Sequence, residues 1–429
     1  MSGFTKTKYH LHSLCCGENF EDKNWELSCP NNDGLSLIRA IYDDKQLVID
    51  DGNPGLYRFS SWLPVSKTLK GSGAPVTYKS IGLAGELGLK NLYITFNGYW
   101  PEKGAFMKTG TFKECEAYAV CARVNGNLGG VMVVASAGNT ARAFAKVCSE
   151  NKIPLLICVP EDNLNALWFE APVDSCVKLI ACESGGDYFD AIHLSNLACQ
   201  IEGFYPEGGS KNVARRDGMG ATVLSAVSTI GTIPDYYFQA IGSGTGAIAA
   251  WEANYRFLED GRFGSKKMKL MVSQNIPFIP IKEAWDADSR DLLPMNDEEA
   301  RKQVEEICAK VLSNRKPSYS IRGGLYDAMK DAGGEVFAVT NEEAFEAGKL
   351  FARLEGNDLE PAASVAVASL IQAIFSKKVD ADEIIMLNIT GGGIDRFKGE
   401  NKITYLRPLE VFPLNPDPKT VHQKIKDLF

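Results

Sequence analysis

The feature that most restricts this chain is a repeated alternation of short apolar, β-branched runs with helical stretches. GGVMVVAS (129–136) leads into TARAFAKVCSE, and IPLLICVP (153–160) into a helix through NALWF. VKLIAC (177–182) leads into YFDAIHLSNLACQ, and YYFQAIG (236–242) into AIAAWEANYRFLED. LMVSQ (270–274) and EIIMLNI (383–389) read as further strands. Strands that are apolar on both faces and separated by helices pack as a parallel sheet covered on each side. The fold class is therefore α/β. Residues 285–360 are helix-rich and more charged, with a Gly-rich interruption at SIRGGLYD. EPAASVAVASLIQAIF reads as a buried helix with Pro361 in its first turn. PLNPDPKTVHQKIKDLF reads as a Pro-rich turn and an amphipathic helix.

The 429 residues suffice for two or three structural units at about 150 residues each. The formal net charge of −8 argues against a nucleic-acid or anionic-membrane partner. It leaves room for a local basic pocket. No apolar run approaches the roughly 20 residues of a membrane span. MSGFTKTKYHLHSLCC lacks the apolar core of a signal peptide, so a cytoplasmic location is expected. The 11 cysteines are odd in number and irregularly spaced, and several lie inside apolar runs, as reduced thiols do. Only 4 histidines leave little room for His-based catalysis. The first 45 residues, with three Cys, two His and the turn-rich CPNNDGLS, suit a small β-rich extension.

Four segments carry chemistry. GSGTGA (242–247) follows a strand and opens a helix. Its glycines let the backbone approach an anion, the helix start offers free N–H groups, and Ser243 and Thr245 add hydroxyls. The string reads as a phosphate cradle. It also fits the dinucleotide pattern G-x-G-x-x-A, but such a site wants an acid at the end of the next strand, and Glu259 and Asp260 end a helix. KTGTFKECEA (108–117) sets a lysine among small hydroxyl residues and Phe112 where a helix begins. A lysine there can be desolvated and activated for Schiff-base chemistry. SAGNTARA (136–143) offers Asn139 and Thr140 either as a helix cap or as part of a carboxylate-binding turn. LNITGGG (387–393) ends a strand on Thr390, a hydroxyl able to face a ring nitrogen. Basic residues gather in WPEKGAFMK (100–108) and NVARRDGMG (212–220), where Lys103, Lys108, Arg215 and Arg216 are candidates to grip an anionic substrate. Taken singly, each segment has a plainer reading as a turn, a cap or surface charge.

The order and spacing are more specific than any one motif. A lysine at a helix start, then SAGN, GSGTG and a strand-terminal threonine, resembles the fold type II pyridoxal phosphate enzymes, the tryptophan synthase β-subunit group. KTGTFKE resembles the TGSFKDR box of the threonine synthase family, with Thr111, Glu114 and Cys115 as departures. The longer strings WPEKGAFMKTGTFKECEA, SAGNTARAFA, NVARRDGMGA, YYFQAIGSGTGAIAAWEA and EDGRFGS resemble the cysteate synthase family, relatives of threonine synthase. That resemblance runs from about residue 56 to the C-terminal helix.

The resemblance implies two open, mostly parallel twisted sheets with flanking helices. It implies a large cofactor domain of residues 46–106 and 218–429, a small domain of 107–217, and the extension of 1–45. It implies pyridoxal 5′-phosphate carried by Lys113, with its phosphate on Gly242, Ser243, Gly244, Thr245 and Gly246. Asn139 would meet the ring O3′ and Thr390 the pyridine nitrogen. Substrate would lie against Thr109, Thr111, Ser136, Ala137, Gly138 and Thr140, and Lys103, Lys108, Arg142, Arg215 and Arg216 would form the anion pocket. The implied activity is β-replacement of O-phospho-L-serine with sulfite to give L-cysteate, in a route to coenzyme M, by a homodimer. Threonine-synthase-like proteins often open with a CxxCG…CPxCG zinc ribbon. Here Cys16 and Cys29 match, but Ser13 and Asn32 replace the partner cysteines, so no metal is expected. Alternatives are a threonine synthase acting on O-phosphohomoserine, or β-replacement with another nucleophile such as sulfide or an amine. From other classes come a dinucleotide-dependent oxidoreductase and a non-catalytic protein with a retired fold.

Overall fold

The computed structural model describes residue 4 and residues 6–23, 25–31, 36–123, 129–136 and 138–429. Ala137 and Asn32 lie outside the described residues. Two parallel sheets organise the chain. The large one runs in the order Glu335–Val339, Lys269–Asn275, Tyr236–Ala240, Ile384–Ile389, Asn91–Phe96 and Val76–Lys79, parallel except for the last pair. The small one runs Phe204–Pro206, Val131–Ala135, Leu155–Pro160, Val177–Cys182 and Glu410–Phe412, parallel throughout. Every residue of Leu155–Pro160 and Tyr236–Ala240 is buried, as strands covered on both faces must be.

The six strands expected from the apolar runs are all present. Two differences are local. The stretch through NALWF is not an α-helix: residues Glu161–Ala166 form a 3₁₀ turn, and Trp168–Phe169 pair antiparallel with Thr404–Tyr405. The expected domain boundaries also shift. Residues from Thr404 onward pair with the small domain, because Glu410–Phe412 hydrogen-bonds alongside Val177–Cys182 and Pro418–Lys426 packs on Tyr188–Ala198.

The first residues form an antiparallel sheet of Tyr9–Ser13, Asn19–Phe20 and Ile38–Tyr42. Arg123 fastens it to the body through both Asp22 oxygens (2.7 and 2.8 Å). Trp25 Nε1 donates to the Pro206 carbonyl at 2.9 Å. Burial alone would push the Asp22 carboxyl up, but the Arg123 guanidinium holds it below the ordinary carboxylate range. In the same extension the Cys16 and Cys29 Sγ atoms stand 3.5 Å apart.

Candidate active site

The site forms where the carboxyl ends of both sheets face each other, the usual location for ligands in open α/β sheets. Tyr236–Ala240 and Ile384–Ile389 are neighbours in the large sheet. They deliver the 242–246 loop and Thr390 side by side. Val131–Ala135 in the small sheet delivers the turn at Ser136 and the helix Asn139–Asn151.

The helix Lys113–Arg123 is held at its start by the Thr390 turn. Phe112 N donates to the Thr390 carbonyl at 2.9 Å, and Gly392 N to the Gly110 carbonyl at 3.0 Å. Thr111 bridges Gly391. The lysine and the strand-terminal threonine are thus fixed by one short antiparallel contact.

Two adjoining cavities result. A chamber of about 70 Å³ is lined by Thr111, Lys113, Asn139, residues 242–246, Glu360 and Thr390. A wider cavity of about 290 Å³ is lined by Lys113, Ser136, Gly138, Asn139, Thr140, Lys211, Arg215 and Lys316. Lys113, Asn139, Ser243 and Thr245 border both. Lys113 therefore stands where a group seated in the chamber would meet one entering through the wider cavity.

The 242–246 loop leaves no room for larger residues. A Cβ on Gly246 would sit 2.6 Å from the Gln239 amide. Gly244 has φ +76°, a conformation that favours glycine. The helix Thr245–Asp260 starts in this loop and aims its free N–H groups there. Ser243 Oγ and Thr245 Oγ1 lie 2.9 Å apart beside them. Thr111 Oγ1 is a buried hydroxyl without a partner in the chamber wall. A bare anion cradle, a lysine, an unsatisfied hydroxyl and the neutral Thr390 fit pyridoxal phosphate. The dinucleotide pattern fails as expected: the next strand ends at Asn275, while Asp260 closes a helix and accepts from the Leu47 amide and Arg262.

The residues of this chamber fall within a match to the pyridoxal-phosphate-dependent enzyme family that spans residues 96–391. Over 412 residues the chain is 48% identical to the cysteate synthase of Methanosarcina acetivorans, covering 96% of this chain and 98% of that protein. It is 49% identical to the cysteate synthase of Methanocella paludicola, covering 93% of each. The chain belongs to the cysteate synthase family. It is a pyridoxal-phosphate-dependent enzyme. Its fold is also that of maize serine racemase, with TM-score 0.56, 15% identity, and coverage of 82% of this chain and 92% of that one.

Measured against this family expectation, the site residues divide. Lys113, Asn139, residues 242–246 and Thr390 converge on the chamber. Thr111 lines the chamber rather than the substrate side. Ser136, Gly138 and Thr140 line the wider cavity, as does Arg215.

The other candidates point elsewhere. Arg216 is fully buried, pairs with Glu252 at 2.8 Å and donates to the Ser210 and Ile38 carbonyls. Consecutive residues on a helix point about 100° apart, so Arg215 faces the cavity and Arg216 the N-terminal sheet. Arg142 stacks 4.4 Å from the Trp168 ring. It donates to the Thr109 and Ala166 carbonyls and to Asn139 Oδ1. Burial lowers its pKa to about 10. Lys108 pairs with Glu170 at 2.5 Å and, with Thr109, borders a separate cavity of about 140 Å³. Lys103 is exposed, 4.3 Å from the Tyr78 ring.

Three contributors went unread in the sequence. Lys211 and Lys316 stand in the wall of the wider cavity on segments far apart in the sequence. The loops that carry them meet through a Ser210–Ser318 hydroxyl hydrogen bond. Glu360 precedes Pro361 at a helix start, yet its carboxylate does not cap that helix and instead accepts from Asn139 Nδ2. Burial pushes its carboxyl up, against the lowering influence of Asn139, Arg142 and Lys113. Arg142 has only donors, so its bond to Asn139 Oδ1 turns the Asn139 amide nitrogen toward the chamber. The legible signal was an acid directly before a helix-opening proline.

Proposed function

We propose that the enzyme forms L-cysteate and phosphate from O-phospho-L-serine and sulfite by β-replacement. The observation that carries this reading is Lys113 at the junction of the chamber with a wider cavity bordered by Lys211, Arg215 and Lys316. Membership of the cysteate synthase family supports the product.

When bound, pyridoxal phosphate supplies a sink for the electron pair left at Cα. Backbone amides of 242–246 and the hydroxyls of Ser243 and Thr245 would hold its phosphate, and Lys113 would carry it. Thr390 would offer the ring nitrogen a neutral hydroxyl, which would not force protonation and would temper the sink, favouring elimination over transamination. The free N–H groups at the start of the Asn139–Asn151 helix hold the substrate carboxylate. The Lys113 amine removes the Cα proton and later returns it. The Cβ–O bond breaks as phosphate leaves, and a C–S bond forms as sulfite enters. Both groups are oxyanions, and Arg215 with Lys211 and Lys316 can receive each in turn.

We place the reaction in the cytoplasm, since all 11 cysteines are free thiols suited to a reducing compartment. Among the described residues, no helix is long and apolar enough to cross a membrane. We read the protein as a homodimer, supported by the exposed Ile81, Phe345 and Phe375.

The test is product analysis of the loaded enzyme with O-phosphoserine and sulfite. Cysteate and phosphate in equal amounts are expected. Phosphate with pyruvate and no cysteate would remove sulfite as the nucleophile. Absence of phosphate would move the assignment to O-phosphohomoserine.

A further inference from the structure

One fully buried carboxylate behind the site touches three of its working parts. Glu116 lies one turn beyond Lys113 on the same helix and has no exposed surface. Its Oε2 is 3.3 Å from Lys113 Nζ. Its Oε1 accepts from Thr140 Oγ1 at 3.0 Å and stands 3.4 Å from Arg215 Nη1. The other two nitrogens of Arg215, Nε and Nη2, each donate to Glu207, at 2.8 and 2.6 Å.

We propose that Glu116 is a positioning residue that holds the Lys113 amine, the Thr140 hydroxyl and the Arg215 fork in one arrangement, and that it competes with the substrate's anionic group for Arg215. The inference rests on the reading of Arg215 as part of the anion cavity.

The polarity of each contact follows from hydrogen-bond chemistry. A carboxylate only accepts, so Thr140 must donate its proton to Glu116. Its hydroxyl proton is then withheld from the substrate carboxylate, which is left to the backbone amides of the turn. Lys113, once it has taken the Cα proton, finds its counter-charge at Glu116 and stays beside the cavity wall. Arg215 is shared between two buried carboxylates, and Nη1 is the one nitrogen not turned to Glu207, so a phosphate arriving there shares that nitrogen's charge with Glu116. Binding is weakened by that competition, and release of the phosphate product is eased by it. A carboxylate placed only to hold the scaffold would strengthen both binding and turnover.

The two roles separate experimentally. Glu116→Gln keeps size and hydrogen bonding but removes the charge. Turnover is expected to fall by about ten- to a hundredfold as Lys113 loses its anchor. Binding of inorganic phosphate to the holoenzyme, measured by calorimetry, is expected to tighten by about three- to tenfold as Arg215 loses a competing anion. Thr140→Val leaves the Glu116 charge in place and should lower turnover with phosphate affinity changed by less than about twofold. Weaker or unchanged phosphate binding in Glu116→Gln overturns the proposal, as does unchanged turnover. Should Glu116→Gln fail to fold, Glu116→Asp replaces it; the shorter carboxylate retreats from Arg215, and phosphate must again bind more tightly. Phosphate binding needs no sulfite chemistry. A wild-type enzyme that makes no cysteate would therefore refute the proposed reaction and leave this measurement readable.

Discussion

The floor and the wall of this active site are built from different materials. The floor, the chamber proposed for the cofactor, is mostly backbone: a glycine loop at a helix start, a threonine at a strand end, and a short bridge that fixes the lysine between them. The wall, the wider cavity proposed for the substrate's anion, is made of long charged side chains whose availability depends on their partners. Arg215 is shared by two glutamates, Arg216 is consumed by Glu252, and Lys211 and Lys316 border the cavity. A floor of backbone tolerates almost no change in residue size. A wall of charges tolerates change in size but not in pairing.

The sharpest break comes at the lysine. Lys113→Ala should reduce turnover by about three orders of magnitude or more, and borohydride should no longer fix the cofactor to the chain, as mass spectrometry of a digest would read. The floor's intolerance of volume is tested next. Gly246→Ala sets a methyl group against Gln239, and cofactor affinity should fall by about ten- to a hundredfold in equilibrium dialysis, a cost of one misplaced backbone contact. Neighbouring arginines then separate packing from binding. Arg216→Met leaves Glu252 with Arg39 as its remaining ion-pair partner, so denaturant unfolding should register a loss of about 3 kcal/mol with little change in KM. Arg215→Lys keeps a charge but loses the fork, so KM for phosphoserine should rise about tenfold. The smallest effects belong to the outer lysines. Lys211→Gln and Lys316→Gln should each raise KM for sulfite about threefold at low salt, with the difference fading as salt is added. Lys103→Gln and Lys108→Gln should leave it within about twofold.

The same division governs what the sequence discloses. The floor is legible because glycine and strand-end hydroxyls are required by backbone geometry at fixed local spacing, so GSGTG, KTGTFK and LNITGGG keep their meaning without a partner. The wall is not legible that way. ARR at 214–216 shows two arginines; only the helix packing shows that the second ties down the N-terminal sheet. Lys103 and Lys108 were candidates from sequence and Lys211 was not, yet the Tyr99–Trp100/Ala105–Phe106 hairpin and Glu170 hold the first two elsewhere. The parallel sheets followed from uninterrupted apolar runs. The strand at Glu410–Phe412 did not, because three residues carry no periodicity.

That strand sets an order of assembly. The lobe that presents Ser136 and Thr140 is built mainly from residues 131–206, yet its outer strand arrives more than two hundred residues later. While the chain is still being synthesised, Val177–Cys182 is an open edge available to any passing strand. The lobe's sheet is therefore sealed only after every strand and loop that lines the two cavities has been made. A stop codon before residue 410 would spare every residue that lines the chamber and the wider cavity and still leave that lobe with an unsealed seam.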